Sequence, residues 1–203
     1  MSGPVVEWGV AAMPLPGQTR SGDRHLVKRL PHALLLAVVD GLGHGEEAAE
    51  VAGIAVATLE RHADEPVVAL LERCHERLAG TRGVVMSVAR FDGPGETMTW
   101  GGVGNVEARL VRARAAATSP AQEVLLPGRG VVGGSLTRPR ASVLPVTQGD
   151  TLVLATDGLD SAFAEGVTRL GPPQELADRL LAKYGRGTDD ALVLVARYGR
   201  PGP

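Results

Sequence analysis

The chain of 203 residues is long enough to build one domain with a sizeable core, and its hydrophobic content of 44% and charged content of 22% exclude wholesale disorder. A net charge of −2 and an aromatic content of 3% leave neither a basic surface for nucleic acid nor an aromatic platform for its bases. No segment approaches the roughly 20 apolar residues that cross a bilayer, and no secretory leader is present, so we expect a soluble cytoplasmic protein without a membrane partner.

Three strands are predicted before the first helix, over Val5 to Ala12, Leu26 to Arg29 and Ala33 to Val39. The third of them, ALLLAVV, is almost wholly apolar, which is typical of a strand that is buried on both faces. We therefore expect this strand at the centre of a sheet. Between the first two strands lies a loop rich in proline and glycine, PLPGQTRSGDRH.

Two amphipathic helices are predicted next. The first runs from Glu46 to about Arg61, and acidic side chains in its first turn suit the positive end of the helix dipole. The second is predicted to be capped by Asp64, to carry Pro66 in its first turn and to end before Gly80. Its apolar stripe contains the single cysteine, Cys74, which is therefore predicted to be a core thiol without a disulfide.

Strands dominate the second half of the chain, where the stretch from Ala115 to Pro145 is predicted to be irregular. The elements are strands at Val84 to Phe91, Thr97 to Trp100, Val106 to Ala113 and Thr151 to Ala155, a helix near Gln174 to Tyr184 and a last strand at Ala191 to Tyr198. This order predicts an α+β fold in which helices cover antiparallel sheets. Because no linker or repeat interrupts the chain, we expect a single domain over residues 1–203, with a core of about 5–198 and a frayed tail at 199–203.

Apolar strands in this chain repeatedly end or begin at an aspartate. The residues concerned are Asp23, Asp40, Asp157, Asp189 and Asp190. An Asp-Gly pair, as at Asp40 and Asp157, is by itself a common turn. However, an unpaired carboxylate beside a buried strand is costly, whereas several carboxylates that converge on a hard divalent cation are compensated. The pattern therefore predicts a Mg²⁺ or Mn²⁺ site made of oxygen ligands.

Other kinds of site are not supported by the sequence. The chain has no CxxC or HExxH, so a zinc site of ordinary form is not expected. The segment GRGVVG at residues 128–133 matches GxGxxG, but the prolines that follow it argue against the helix that a dinucleotide site requires. Neither a phosphate-binding GxxxxGK[ST] loop nor the GxSxG of nucleophilic hydrolases is present.

The ordered set of motifs resembles the PPM-type (2C-like) metal-dependent serine/threonine protein phosphatases, and within them the bacterial SpoIIE/RsbX-like branch. The matching pieces, in the family's order, are PLPGQTRSGDRH, VVDGLGHG, GGVGN, QGDTLVLATDGL and TDDALVLVARY. They extend over nearly the whole chain, from about Val5 to Arg197. The resemblance implies an αββα sandwich of two antiparallel sheets flanked by helices, with metals in a cleft at one edge.

The resemblance also implies a set of metal ligands. Asp40 matches the aspartate that bridges two metal ions, and Gly41 matches the residue that ligates through its carbonyl oxygen. Asp157 matches the aspartate of the second metal. Either Asp189 or Asp190 matches the C-terminal ligand, and Asp189 is favoured. The implied cofactors are two or three Mn²⁺ or Mg²⁺ ions.

Asp23 and Asp40 are the implied catalytic residues. Asp23 matches the acidic residue that holds metal-bound water, and a water shared by two metals would attack phosphorus in line without a covalent phosphoenzyme. Many family members carry a histidine directly after the Asp-Gly pair, where this chain has Leu42. His44 stands two residues later, and we expect it to have a structural role in the loop.

The groups that would contact phosphate are not identified by the motifs. The basic candidates are Arg20, Arg24 and Arg138, and His25 beside Asp23 is no better placed than His44. Most arginines in loops are simply solvated.

The function implied by the resemblance is hydrolysis of phosphoserine or phosphothreonine on a signalling protein. For this branch the expected substrates are phosphorylated STAS-domain proteins, similar to RsbR and RsbS, in a stress-signalling complex called the stressosome. Two alternatives are a pseudophosphatase that only binds and a hydrolase of a small phosphorylated metabolite. The presence of every metal-ligating aspartate weighs against the pseudophosphatase. The sequence gives no indication of the oligomeric state.

Overall fold

The computed structural model describes residues 4–93, 95–114, 121–167 and 171–199. Those ranges contain ten strands and four helices. The strands are β1 (Val5–Met13), β2 (Asp23–Arg29), β3 (Ala33–Gly41), β4 (Val84–Asp92), β5 (Thr97–Val103), β6 (Glu107–Val111), β7 (Gln122–Leu125), β8 (Ser142–Pro145), β9 (Thr151–Ala155) and β10 (Ala191–Gly199). The helices are α1 (Glu46–Arg61), α2 (Val67–Arg77), α3 (Phe163–Gly166) and α4 (Pro173–Tyr184).

The strands form two five-stranded antiparallel sheets. The first sheet has the order β1-β10-β9-β6-β7, and the second has the order β2-β3-β4-β5-β8. Most of the second sheet is a meander, in which β2, β3, β4 and β5 pair with their neighbours in the chain. The first sheet joins the two ends of the chain, because β1 pairs with β10 over their full length.

The side chains of β3 show how the layers are built. Its alternate residues Leu34, Leu36 and Val38 are packed in the core between the two sheets. Leu35, Ala37 and Val39 point to the other side, into the apolar layer under α1 and α2. The wholly apolar composition of this strand follows from these two buried faces, and its predicted central position is confirmed.

A third apolar layer lies on the outer side of the first sheet. There α4 packs on β1 and β10 through Leu176, Ala177 and Leu180. The two sheets are therefore covered by α1 and α2 on one side and by α4 on the other. The predicted α+β class and αββα sandwich are confirmed.

The structure differs from the sequence-based prediction mainly in the middle of the chain. The stretch from Ala115 to Pro145 was predicted to be irregular, but it contributes β7 and β8, which are short strands at the edges of the two sheets. Residues 115–120 of this stretch lie outside the described part of the chain. Strands this short carry little periodicity, so their pairing with β6 and β5 comes from contacts that are distant in sequence.

Smaller corrections concern element ends. Asp64 does not cap α2: the N-cap is Pro66, and no side chain bonds to the helix start. The short helix α3 was not predicted. The predicted tail at 199–203 begins with Gly199, the last residue of β10, and its other residues lie outside the described ranges.

Two further expectations concern Cys74 and the glycine-rich segment at residues 128–133. Cys74 is fully buried, as predicted, and burial raises the pKa of its thiol to about 12. The segment at 128–133 forms a loop with isolated bridges and no following helix. Among the helices within the described ranges, none combines the length and apolar character needed to span a bilayer.

Candidate metal centre

Asp23 and Asp40 face each other at one end of the second sheet. They are direct partners in the register of β2 and β3. Asp40 continues the inward-facing row of Leu36 and Val38, because side chains alternate along a strand. The apolar core between the sheets therefore ends in two carboxylates, of which Asp23 is only 4% exposed and Asp40 is half-buried.

The first sheet contributes its own polar residues to the same end. The Thr156 hydroxyl, directly after β9, donates to Asp23 Oδ2 over 2.7 Å and so links the two sheets. The Leu192 N–H in turn donates to Thr156 Oγ1 over 2.9 Å. The next residue, Asp157, is exposed and accepts a 2.7 Å hydrogen bond from Asn105 Nδ2.

Asp189 and Asp190 have different environments. Asp190 is 4% exposed, and its carboxylate accepts the N–H groups of Leu15 at 2.8 Å and Gly22 at 2.7 Å. Asp190 therefore holds the loop between β1 and β2. Asp189 is exposed, and the contact found for its carboxylate within the described residues is the Asp190 N–H at 2.8 Å. This leaves Asp189 the freer of the two to bind a cation.

The glycine after each Asp-Gly aspartate is required by close packing. A Cβ atom on Gly41 would lie 2.2 Å from the Ala48 carbonyl oxygen in the first turn of α1. A Cβ atom on Gly158 would lie 2.0 Å from the Asp190 carbonyl oxygen. Both distances are too short for any side chain, so the two glycines allow α1 and the Asp189–Asp190 turn to approach the site.

The centre carries a concentrated negative charge. Burial, followed by repulsion from Asp23, Asp157, Asp189 and Asp190, raises the pKa of Asp40 to about 8. Burial also raises the pKa of Asp23 to about 7, against the lowering effect of its hydrogen bond from Thr156. The pKa of Asp157 is raised as well, first by partial desolvation of its carboxylate, although the residue as a whole is exposed, and then by Asp189.

The positively charged side chain of Arg186 lies at the rim of this group of aspartates. The Arg186 guanidinium acts to lower the pKa of Asp157, and its Nη2 lies 3.6 Å from Asp160 Oδ2. The backbone N–H of Arg186 donates to the Gly158 carbonyl oxygen over 2.9 Å, which fixes this segment beside the second Asp-Gly pair. The side chain of Arg186 is half-exposed.

The chemistry of the donors fits a hard divalent cation. Within the described residues, no group donates a hydrogen bond to the Asp40 carboxylate, so its charge lacks compensation from the protein. No group of three or more His, Cys, Asp or Glu side chains in those residues could by itself hold an ion in this conformation. Mg²⁺ commonly binds through one or two carboxylates and keeps several waters, so Asp40 with the Gly41 carbonyl oxygen and water would satisfy it.

The remaining candidates from the sequence do not join the aspartates. His44 is exposed in the loop before α1, and His25 is exposed on the edge strand β2. Arg20 forms an exposed ion pair with Glu46 at 3.6 Å. Arg24 is exposed on β2, and Arg138 lines a separate cavity.

Three residues of the site were not given a role by the sequence analysis. Thr156 and Asn105 stand within the quoted motifs ATDGL and GGVGN, so their positions carried a signal that was not used. Arg186 carried none, because its place beside Asp157 depends on the pairing of the segment 185–186 with residues 158–159.

The amino-acid sequence of this chain is similar to those of known proteins. The model of the SpoIIE family, described as stage II sporulation protein E, matches residues 31–199. The phosphoserine phosphatase RsbX of Bacillus subtilis (strain 168) is 26% identical over 181 residues, which make up 88% of this chain and 87% of RsbX.

Two solved structures have a similar fold over almost their full length. A chain from a structure of the bacterial stressosome, described as a modular system adapted to control secondary messenger signaling, is 31% identical, with a TM-score of 0.84 over 95% of this chain and 100% of the other. A crystal structure of RsbX in complex with magnesium has a TM-score of 0.84 at 23% identity, over 96% of each chain.

Proposed function

The chain belongs to the SpoIIE family, and we propose that it is a metal-dependent phosphatase that hydrolyses phosphoserine or phosphothreonine on a partner protein. The observation that carries this proposal is the convergence of Asp23 and Asp40 from one sheet with Asp157 and Asp189 from the other. Burial, followed by repulsion among the aspartates, raises the pKa values of Asp40 and Asp23, and bound cations would remove this cost.

Asp40, the Gly41 carbonyl oxygen, Asp157 and Asp189 would hold the metal ions, which are Mg²⁺ or Mn²⁺ and number two or three. The exposure of Asp157 and Asp189 supports this assignment, since ions can reach both carboxylates from solvent. Asp190 is left out of the proposed ligand set because its two carboxylate oxygens accept N–H groups that hold the loop between β1 and β2.

Bound metals would acidify a water molecule and neutralise charge on the phosphoryl oxygens. Asp23 is suited to orient the attacking water: Thr156 occupies its Oδ2, and Oδ1 remains available as an acceptor. The hydrogen bond from Asn105 fixes Asp157 in the same way and leaves its second oxygen to the site. The half-exposed fork of Arg186 would contact the phosphoryl oxygens in a bidentate manner.

A protein substrate is supported by the relatives. RsbX is a phosphoserine phosphatase, and the more identical solved chain comes from work on the stressosome. The substrate proposed for this chain is accordingly a phosphorylated STAS-domain protein of a stress-signalling complex, of the RsbR or RsbS type.

The proposal is tested by phosphate release from a phosphoserine peptide, with Mn²⁺, with Mg²⁺ and with EDTA. We expect turnover with metal that EDTA abolishes and that Asp157→Asn reduces by about 10²-fold or more. Asp64→Asn, an exposed aspartate between α1 and α2, is the matched control and should behave as the wild type. Folded protein that releases no phosphate with either metal would contradict the proposal.

A further inference from the structure

A notch opens at the edge of the second sheet, beside the metal centre. The edge strand β8 pairs with β5 only from Thr97 to Trp100, and Gly128 continues the pairing from Val103. Between these two partners lies a cavity of about 430 Å³. Its wall includes Trp100, Gly102, Pro127, Arg138, Arg140 and Ser142.

The charge of the notch is entirely positive. Arg138 and Arg140 line it, and no acidic side chain does. Both arginines are exposed, and neither guanidinium forms an ion pair within the described part of the chain. By contrast, Arg73 in the cavity between α1 and α2 is paired with Glu65. The notch therefore offers two uncommitted guanidinium groups to an anionic ligand.

Trp100 forms part of the wall between the notch and the core of the sandwich. Its side chain lines the notch and is only 4% exposed, yet its Nε1 has no hydrogen-bond partner in the described residues. An indole N–H can only donate, and a buried donor without an acceptor is costly.

The notch is connected to the metal centre by a short piece of backbone. The Gly128 N–H donates to the Gly102 carbonyl oxygen at 2.8 Å, and the Gly104 N–H donates to the Gly128 carbonyl oxygen at 2.9 Å. The next residue, Asn105, bonds to Asp157. Asn105 is three positions after Gly102, so the notch and the centre are about 10 Å apart along the chain.

We propose that this notch binds an aspartate or glutamate side chain of the protein substrate, about three to five residues from the phosphorylated residue in an extended segment. This inference rests on the proposed function, which places the phosphoryl group at the aspartates. The Leu126 side chain at the rim is 80% exposed and would pack against an apolar neighbour of the acidic residue.

The test compares two phosphoserine peptides that differ only in a glutamate or a glutamine at these positions. We expect the metal-loaded wild type to have a kcat/KM about tenfold higher for the glutamate peptide, the scale of one charge-assisted hydrogen bond. The double variant Arg138→Gln/Arg140→Gln should lose this preference and hydrolyse p-nitrophenyl phosphate like the wild type. Arg29→Gln, an exposed arginine at the other end of β2 from Asp23, is the control and should keep the preference.

Two results would overturn the inference. One is an equal kcat/KM for the two peptides in the wild type. The other is a loss of p-nitrophenyl phosphate hydrolysis in the double variant that is as large as its loss of glutamate-peptide hydrolysis. This result would assign the arginines to the metal centre.

A second readout does not depend on turnover. The chain has two tryptophans, and Trp8→Phe leaves Trp100 as the single emitter. The glutamate peptide should change the Trp100 emission, and the Arg138→Gln/Arg140→Gln variant should abolish this change. If the wild type hydrolysed neither peptide, the proposed function would fail. The change in Trp100 emission would still show whether the notch binds the glutamate peptide.

Discussion

Asp40→Asn is expected to make the metal-free protein more stable while removing its ability to use metal. The carboxylate of Asp40 is half-buried and repelled by four other aspartates, which raises its pKa from 3.8 to about 8. A carboxylate whose pKa is raised in the folded state does not lower the free energy of unfolding at a pH where it is protonated in both the folded and the unfolded state. Its cost appears as the pH rises above 3.8 and is complete above about 8.

The size of the effect follows from this difference in pKa. At about 1.4 kcal/mol per pKa unit, the ionised Asp40 costs the fold at most about 5–6 kcal/mol above pH 8. The asparagine amide must itself be desolvated, so we expect Asp40→Asn to recover about half of this cost, or ~2–3 kcal/mol in the free energy of unfolding. For a chain of this length that corresponds to a rise in Tm of roughly 5–10 °C.

The assay is denaturant or thermal unfolding in EDTA at about pH 4 and about pH 8.5. The variant and the wild type should differ little at the lower pH, and the variant should be more stable at the higher pH. Mn²⁺ at about 1,000-fold excess over Kd should reverse the order, because it stabilises a metal-binding fold by ~4.1 kcal/mol, which exceeds the gain of the variant. Asp64→Asn should show neither effect. Equal stability of variant and wild type in EDTA at the higher pH would refute the electrostatic reasoning.

Substitutions at four further positions test packing, positioning, phosphate binding and the role of His44. Gly41→Ala should lower the free energy of unfolding by about 3 kcal/mol or more, since its Cβ would lie 2.2 Å from the Ala48 carbonyl oxygen. An unchanged denaturant midpoint would contradict this close contact. Thr156→Val should lower the free energy of unfolding by about 1–3 kcal/mol and reduce turnover, because Asp23 loses its hydrogen bond. Thr156→Ser keeps the hydroxyl and should retain both stability and turnover. A Thr156→Ser protein as impaired as Thr156→Val would exclude the hydrogen bond as the cause. Arg186→Gln should raise both the KM for p-nitrophenyl phosphate and the inhibition constant of inorganic phosphate about tenfold, with the Mn²⁺ midpoint unchanged. A change confined to the Mn²⁺ midpoint would instead make Arg186 part of the metal site. His44→Ala should change turnover less than about threefold, and a loss of about 10²-fold would give the histidine an acid–base role.

The parts of the fold with strong local patterns could be predicted from the sequence. The amphipathic stripes of α1 and α2 repeat with the helical period, and the unbroken apolar runs of β3 and β10 have the length of a buried strand. The aspartates were recognisable because they interrupt or adjoin such runs. Their convergence was suggested by resemblance, and the geometry behind it is the register of Asp23 with Asp40 across two neighbouring strands.

Features that depend on distant contacts could not be predicted in the same way. β7 and β8 have four residues each and are strands only because β6 and β5 pair with them. The sequence could not separate Asp189 from Asp190, since their difference lies in which of them accepts the N–H groups of a loop about 170 residues earlier.

The most direct test of the central claim, that the aspartates at the end of the sandwich form a catalytic metal centre, is a titration. Wild-type protein stripped with EDTA is titrated with Mn²⁺ while p-nitrophenyl phosphate hydrolysis is followed, beside Asp40→Asn. The account predicts that activity rises from zero with Mn²⁺ occupancy and that the variant remains at least about 10²-fold below the wild type. Activity without metal, or equal activity in folded Asp40→Asn protein, would contradict it.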